Sequence, residues 1–320
     1  ALNCVANGRI LREGPFDDIW IQPAAGDSGS ALGAALDIYY NHYKNKRKYS
    51  EDNRSVQKGS YWGPRFSFDE VKGFLDTHGY PYKHYEDENE RASLIANYIA
   101  EGKVVGHFSG RMEFGPRALG SRSILGDSRN PETQTTLNLK IKYRESFRPF
   151  APAVLAERIG DYFELDCESP YMLLVAPVSK NRRLPLSDIS KDEDMLKTVR
   201  QSRSDIPAIT HVDYSARVQS VSSTDHPPFY NIIKAFEKET GCGVIVNTSF
   251  NVRGEPIVCT PYDGYRCFMR TEMDVLVLEN FILLKENQPP WPEQKGHYDE
   301  YAKESEQLYP DEFLSNLEDI

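Results

Sequence analysis

The sequence lacks the sign of charge that a general binder of nucleic acid or anionic membrane needs. Across 320 residues, 48 acidic side chains against 38 basic leave a net charge of −10, so either polyanion would be repelled over much of the surface. It also lacks any apolar run near the ~20 residues that cross a bilayer, and its first residues, ALNCVANGRILREG, do not have the charged-then-apolar layout of a secretory signal. A cytoplasmic setting without nucleic-acid or membrane partners is expected. Cysteine is scarce: Cys4, Cys167, Cys242, Cys259 and Cys267 are odd in number and include no CxxC pair, which argues against a disulfide framework or zinc knuckle and for small buried thiols. Neither a GxxxxGKS/T loop nor a GxGxxG run after a strand is present, so the usual nucleotide folds are not indicated. His211 and His226 have no HxxH or HExxH spacing from which a metal site could be assembled.

What is present is globular. A hydrophobic fraction of 39% and an aromatic fraction of 12% exclude wholesale disorder, and the length suits about two domains. ALNCVANGRIL reads as a strand end and turn. FDDIWIQPAAGDSGSALGAALDIYYNHYK then reads as a strand, a loop holding Asp27 and a helix from about Ser30. Because nothing precedes this βα unit, the chain is expected to be the C-terminal part, or one half, of something larger. Residues 44–64 have linker composition, and the domain boundary is placed there. The division expected is residues 1–55, 56–288 and an acidic tail, 289–320. In the second unit, Phe68, Val71, Phe74 and Leu75 fall at helical spacing, and ERASLIANYIAEGK is a further amphipathic helix stopped by Gly102. VVGHFSG, YMLLVAPV, AITHVDYSARVQSVS and VIVNTSFN read as strands, PPFYNIIKAFEKETG as a helix ending at Gly241, and residues 179–204 as a solvated excursion.

Four stretches place cations or amide and hydroxyl groups where strands break into loops. In GRMEFGPRALGSRS, Gly115 and Gly120 allow close backbone approach while Arg117 and Arg122 offer forked donors for phosphate or carboxylate oxygens. Glu113, its lone acid, reads as a brace for these arginines. KIKYRESFRPF sets Lys142 and Arg148 around a bend enforced by Pro149, and DYSARVQS carries Arg217. In NTSFN, Asn247 and Ser249 share one strand face, where an amide and a hydroxyl can fix an adenine, a ribose or a carbamoyl group. Each stretch alone also fits a solvated loop or a capped turn. Together, in an acidic protein, they indicate a concave site for an anion. Asp27, between small residues at a helix start, fits a metal ligand or a helix cap.

IQPAAGDSGSALGAAL, GRMEFGPRALGSRSIL, KYRESFRPFAPAV and NTSFNVRGEPIV closely resemble the C-terminal half of the O-carbamoyltransferase family, which includes nodulation-factor, tobramycin, cephamycin and ansamycin carbamoyltransferases. The resemblance covers roughly residues 1–287. It implies an α/β (α+β) architecture: the C-terminal piece of an actin-like-ATPase, Kae1-type transfer domain, followed by a YrdC-like twisted mixed sheet with flanking helices. By that resemblance the YrdC-like part forms carbamoyl-adenylate from carbamoyl phosphate and ATP, with Mg²⁺ on the nucleotide. The Kae1-like part passes the carbamoyl group to an acceptor hydroxyl. Arg117, Lys142, Arg148, Arg217, Asn247 and Ser249 would line the first site. Asp27 would be one ligand of an iron-type divalent metal in the second, with Asn3 near the nucleotide.

The family's HxxxH pair, the metal's other ligands, belongs to the N-terminal half and is not in this chain. The chain is therefore expected to carry mainly the activation half and to need an N-terminal half for transfer. A threonylcarbamoyl-adenylate synthase using bicarbonate and threonine, or a non-catalytic nucleotide-binding piece, are the competing readings.

Overall fold

The computed structural model describes residues 1–47, 57–186, 199 and 201–291. In chain order its strands are β1 (Lys83–His84), β2 (Val105–Phe108), β3 (Arg122–Asp127), β4 (Ala151–Leu155), β5 (Leu174–Pro177), β6 (Ser215–Val221), β7 (Val244–Ser249), β8 (Val275–Leu278) and β9 (Phe281–Leu284). They form one mixed sheet in the order β1-β9-β8-β2-β3-β7-β4-β6-β5. Pairing is parallel at β2/β8 and β4/β6 and antiparallel elsewhere. The mixed sheet with flanking helices expected from the sequence is thus found.

The helices are α1 (Cys4–Glu13), α2 (Asp27–Asp37), α3 (Phe68–His78), α4 (Glu88–Ala100), α5 (Pro131–Leu137), α6 (Ile159–Tyr162), α7 (Pro227–Thr240) and α8 (Pro261–Met269). α7 shows why these segments coil. Phe229, Ile232, Ile233 and Phe236 recur at helical spacing and are buried, and Gly241 closes the helix in the left-handed region. Burying each such side chain contributes about 1.5–3 kcal/mol. α7 packs on α4, β4 and β7, while α4 packs on β2 and β3. β2, β3 and β4 are accordingly buried along their whole length, while β7 is half-buried at its end, Thr248 and Ser249.

Two expectations near the N-terminus are overturned. Residues 4–13 form a helix, not a strand end, and residues 16–22 form no strand. The turn expected within ALNCVANGRIL is replaced by helix, and Gly8 lets α1 lie on the edge strand β5, where a Cβ would sit 2.2 Å from the Val175 carbonyl oxygen. Arg12 Nη1 donates to that oxygen at 2.6 Å, and Asn7 Nδ2 donates to the Leu173 carbonyl at 3.1 Å, so α1 covers an edge that would otherwise be exposed. The strand expected from residue 208 begins only at Ser215, after a 3₁₀ turn at Pro207–Ile209. Parts of the expected linker (48–56), the excursion (187–198 and 200) and the tail (292–320) lie outside the described residues.

Candidate functional site

The sheet register brings separate loops to one end. β7 runs antiparallel to both β3 and β4, pairing Ser249 with Ser123 and Asn247 with Ala151, and β6 runs parallel to β4. The starts of β3, β4 and β6 therefore meet the end of β7. The loops entering those strands carry Arg117, Arg148 and His211, and β6 itself carries Arg217.

A cavity of about 390 Å³ opens there, lined by Arg117, Arg148, Arg217, Asn247 and Ser249 together with Arg144, His211 and Cys4. A second, of about 440 Å³, adjoins it and is lined by Lys142, Asn251 and Arg253; Arg144, Arg148, Thr248 and Ser249 belong to both walls. Six of the eight residues expected from sequence thus line two connected cavities.

The charge in the first cavity is one-sided. No carboxylate lines it, and of its arginines only Arg148 has an ion pair among the described residues, with Glu145 at 3.1 Å. Burial, followed by the neighbouring Arg117, draws Arg217 down to about 10. Burial, followed by Arg148, draws Arg144 down to about 10. Arg117 Nε and Asn247 Oδ1 are buried without a hydrogen-bond partner, although Asn247 Nδ2 donates to Gln219 Oε1 at 2.6 Å. Clustered guanidiniums and an orphaned donor and acceptor are costly unless a ligand completes them. A polyanion that also accepts and donates hydrogen bonds fits this set.

Lys142 is placed differently from the expectation. Its ammonium is buried and donates to the carbonyl of Ser249, to Asn251 O at 2.8 Å and Asn251 Oδ1 at 3.0 Å, with Ser249 Oγ at 3.3 Å. Burial, then Arg144, pulls it down to about 7, while these oxygens favour the charged form. The lysine ties the turn after β7 to the end of a π-helical segment, Asn138–Lys142, and so fixes Ser249 on the wall shared by both cavities.

The loop bearing Arg117 is held from behind. Glu113, fully buried, accepts at Oε1 from the amides of Leu119 (2.6 Å), Ser121 (2.8 Å) and Arg122 (3.3 Å). It braces the backbone rather than the arginine side chains. Arg122 is also not a ligand donor: with no exposure, it stacks 3.4 Å over the Phe108 ring and donates to the carbonyls of Gly110, Ser121 and Pro64. Gly120, at φ +118°, abuts Phe229, and His107 Nδ1 bonds its carbonyl at 2.6 Å. Phe229 N donates to His226 Nδ1, so Nε2 carries the proton toward Ser121 Oγ at 3.0 Å. Burial lowers His107 to about 4 and His226 to about 3, keeping both neutral.

The remaining two expected residues lie outside the cavities. Asn3 caps α1, accepting from Ala6 N at 3.0 Å, and immediately precedes Cys4, which lines the first cavity. Asp27 is exposed in the first turn of α2, whose cap is Gly26. Among the described residues no group of three or more His, Cys, Asp or Glu side chains is placed to hold a metal ion, so Asp27 offers a single ligand. Sequence reasoning passed over Arg144, although it stands between Lys142 and Arg148. Arg253 lies within NTSFNVRGEPIV and was equally visible, whereas His211 had no spacing signal.

A further cavity, of about 630 Å³, lies elsewhere and carries Glu157, Glu168 and Asp225, a poor match for an anion. No helix among the described residues is long and apolar enough to cross a membrane.

Comparison with known proteins gives these residues a context. Residues 96–285 match the family described as Carbamoyltransferase C-terminus and residues 1–36 match Carbamoyltransferase N-terminus. Uncharacterized protein sll1178 of Synechocystis is 55% identical over 94% of this chain and 49% of its own length. Nodulation protein NolNO of Sinorhizobium fredii is 40% identical over 91% of this chain and 39% of its own. The 3'-hydroxymethylcephem-O-carbamoyltransferase of Amycolatopsis lactamdurans is 34% identical over 80% of this chain and 42% of its own. The chain spans about half the length, or less, of these relatives.

Proposed function

The chain belongs to the carbamoyltransferase family, and from that membership we propose that its cation-lined cavities activate carbamoyl phosphate with ATP to form carbamoyl-adenylate and pyrophosphate. The carbamoyl group then passes to a hydroxyl of a natural product or glycan. The observation that carries this reading is the convergence of Arg117, Arg148 and Arg217 with Asn247 and Ser249 on one cavity without a carboxylate.

Bringing ATP and carbamoyl phosphate together sets several negative charges within a few ångströms, and preplaced guanidiniums offset that repulsion without reorganising during reaction. The two adjoining cavities give the two anions separate floors and a common wall at Arg144 and Arg148. Asn247 Oδ1 supplies an acceptor for the carbamoyl amide, and Ser249, whose hydroxyl proton goes to Asn251 Oδ1 at 2.6 Å, adds its oxygen as a second acceptor. Mg²⁺ travels with the ATP phosphates.

Atom balance adds a requirement. Carbamoyl phosphate brings one phosphorus and ATP three, while carbamoyl-adenylate keeps one and pyrophosphate takes two. The fourth leaves as orthophosphate, and one water is consumed.

Transfer needs an N-terminal half, in this reading, because Asp27 offers only one ligand to the iron-type metal expected there. Several exposed large apolar side chains on the N-terminal segment, Phe16, Trp20, Ile38, Tyr39 and Tyr43, support packing against such a partner. The protein would work in the cytoplasm, where carbamoyl phosphate and ATP are available. Mass spectrometry of a reaction with both substrates is expected to show carbamoyl-adenylate. A product formed only from bicarbonate, threonine and ATP would overturn the assignment.

A further inference from the structure

We propose that His211 accepts the proton of the water that splits carbamoyl phosphate, an inference that rests on the activation chemistry proposed above. His211 lines the cavity that holds Arg117, Arg148 and Arg217, and with Pro149 it also lines a separate cavity of about 610 Å³. Its tautomer follows from its neighbours. The Ser215 hydroxyl donates to Asp213 Oδ1 at 2.6 Å, so its oxygen is left to accept, and His211 Nδ1 lies 3.1 Å away. The ring proton therefore sits on Nδ1 and the lone pair on Nε2, which makes no hydrogen bond among the described residues. A carboxylate–hydroxyl–imidazole chain thus ends on a neutral base in the wall of the cationic cavity, an arrangement suited to general-base catalysis.

The groups facing the ring set its charge. Asp213 and Ser215 lie on its own segment, Arg217 on β6, Arg144 and Arg148 on the loop before β4, and Arg203 bonds the adjacent Val212 carbonyl at 3.2 Å. Burial lowers His211 below its ordinary range; Asp213 opposes this and Arg217 adds to it. A neutral imidazole among arginines is available to take a proton near neutral pH.

The step balances. The water oxygen attacks phosphorus, the bond from phosphorus to the carbamoyl oxygen breaks, and the water proton passes to His211 Nε2. Orthophosphate and carbamate result. A carbamate oxygen then attacks the α-phosphorus of ATP, and pyrophosphate leaves. Arginines gripping the phosphoryl oxygens favour attack at phosphorus rather than at carbon.

The test compares two substrates on the 320-residue chain and its His211→Ala variant. With carbamoyl phosphate and ATP, the variant is expected to release pyrophosphate about 100- to 1,000-fold more slowly. With carbamate supplied directly, from ammonium bicarbonate, it is expected to match the parent within about threefold, because the water step is bypassed. Added imidazole is expected to restore the carbamoyl phosphate reaction in part, and ¹⁸O from water to enter orthophosphate in the parent. Equal losses with both substrates would show a structural role and overturn the proposal, as would a variant as fast as the parent on carbamoyl phosphate. A parent chain that releases pyrophosphate from neither substrate would instead remove the activation chemistry itself.

Discussion

Arg117 and Arg217 line the same cavity with no carboxylate on its wall, and the guanidinium of Arg117 adds to burial in drawing Arg217 down to about 10. Folding places like charges together here at a cost, which a bound polyanion reverses.

Replacing Arg117 or Arg217 with alanine should therefore separate binding from stability. Pyrophosphate affinity is expected to fall about 10- to 100-fold, in line with roughly 1.5–3 kcal/mol for a charge-assisted hydrogen bond. Tm is expected to hold or rise as repulsion is relieved. Calorimetric titration and thermal melts read the two effects. Unchanged affinity with a Tm lower by several degrees would contradict the assignment.

Lys142→Met should behave in the opposite way. It strips a donor from the buried carbonyls of Ser249 and Asn251, so a stability loss of about 2–4 kcal/mol is expected in urea unfolding, alongside lost activity. A variant as stable as the parent would show that the lysine does not hold the turn after β7.

The buried histidines give the fold an acid limit. His107 and His226 sit near 4 and 3 in the folded protein, against 6.5 unfolded. Above 6.5 both states hold neutral rings. As pH falls below 6.5 the unfolded chain takes up protons that the folded chain refuses, and stability is lost down toward pH 4 and 3. About 3 kcal/mol is at stake at His107 and about 5 kcal/mol at His226. Unfolding free energy is expected to fall steeply between pH 6.5 and 4, and less steeply in His226→Asn, which keeps an acceptor for Phe229 N. A flat profile over that interval would contradict the neutral state assigned to both buried rings.

Gly120→Ala should collapse the Arg117 loop. A Cβ there would lie 2.4 Å from Phe229 Cδ1 on a backbone at φ +118°, and a cost of about 2 kcal/mol or more is expected. Thermal melts and pyrophosphate affinity should both worsen. A variant indistinguishable from the parent would mean that the loop repacks freely.

Much of this was legible in the residues because periodicity and burial coincide. The spacing of Phe229, Ile232, Ile233 and Phe236 gave α7, and VIV gave β7. The site was legible as a collection of cations but not as a geometry. Arg122 and Arg117 look alike in GRMEFGPRALGSRS, yet one is sealed over Phe108 at the start of β3 and the other lines the cavity from the loop before it. Glu113 likewise resembled a salt-bridge partner, and only the folded loop shows three amides converging on it. α1 was missed because Gly8, a turn signal locally, answers to a long-range approach of β5. His211 acquires its meaning from Ser215 and Asp213 only once the loop before β6 is folded.

The most direct test counts both phosphate products. Incubated with ATP, Mg²⁺ and carbamoyl phosphate, the chain is expected to release pyrophosphate and orthophosphate in equal amounts, dependent on both substrates, with at least tenfold loss in Arg217→Ala. Pyrophosphate release that ignores carbamoyl phosphate, or that survives Arg217→Ala unchanged, would contradict the account.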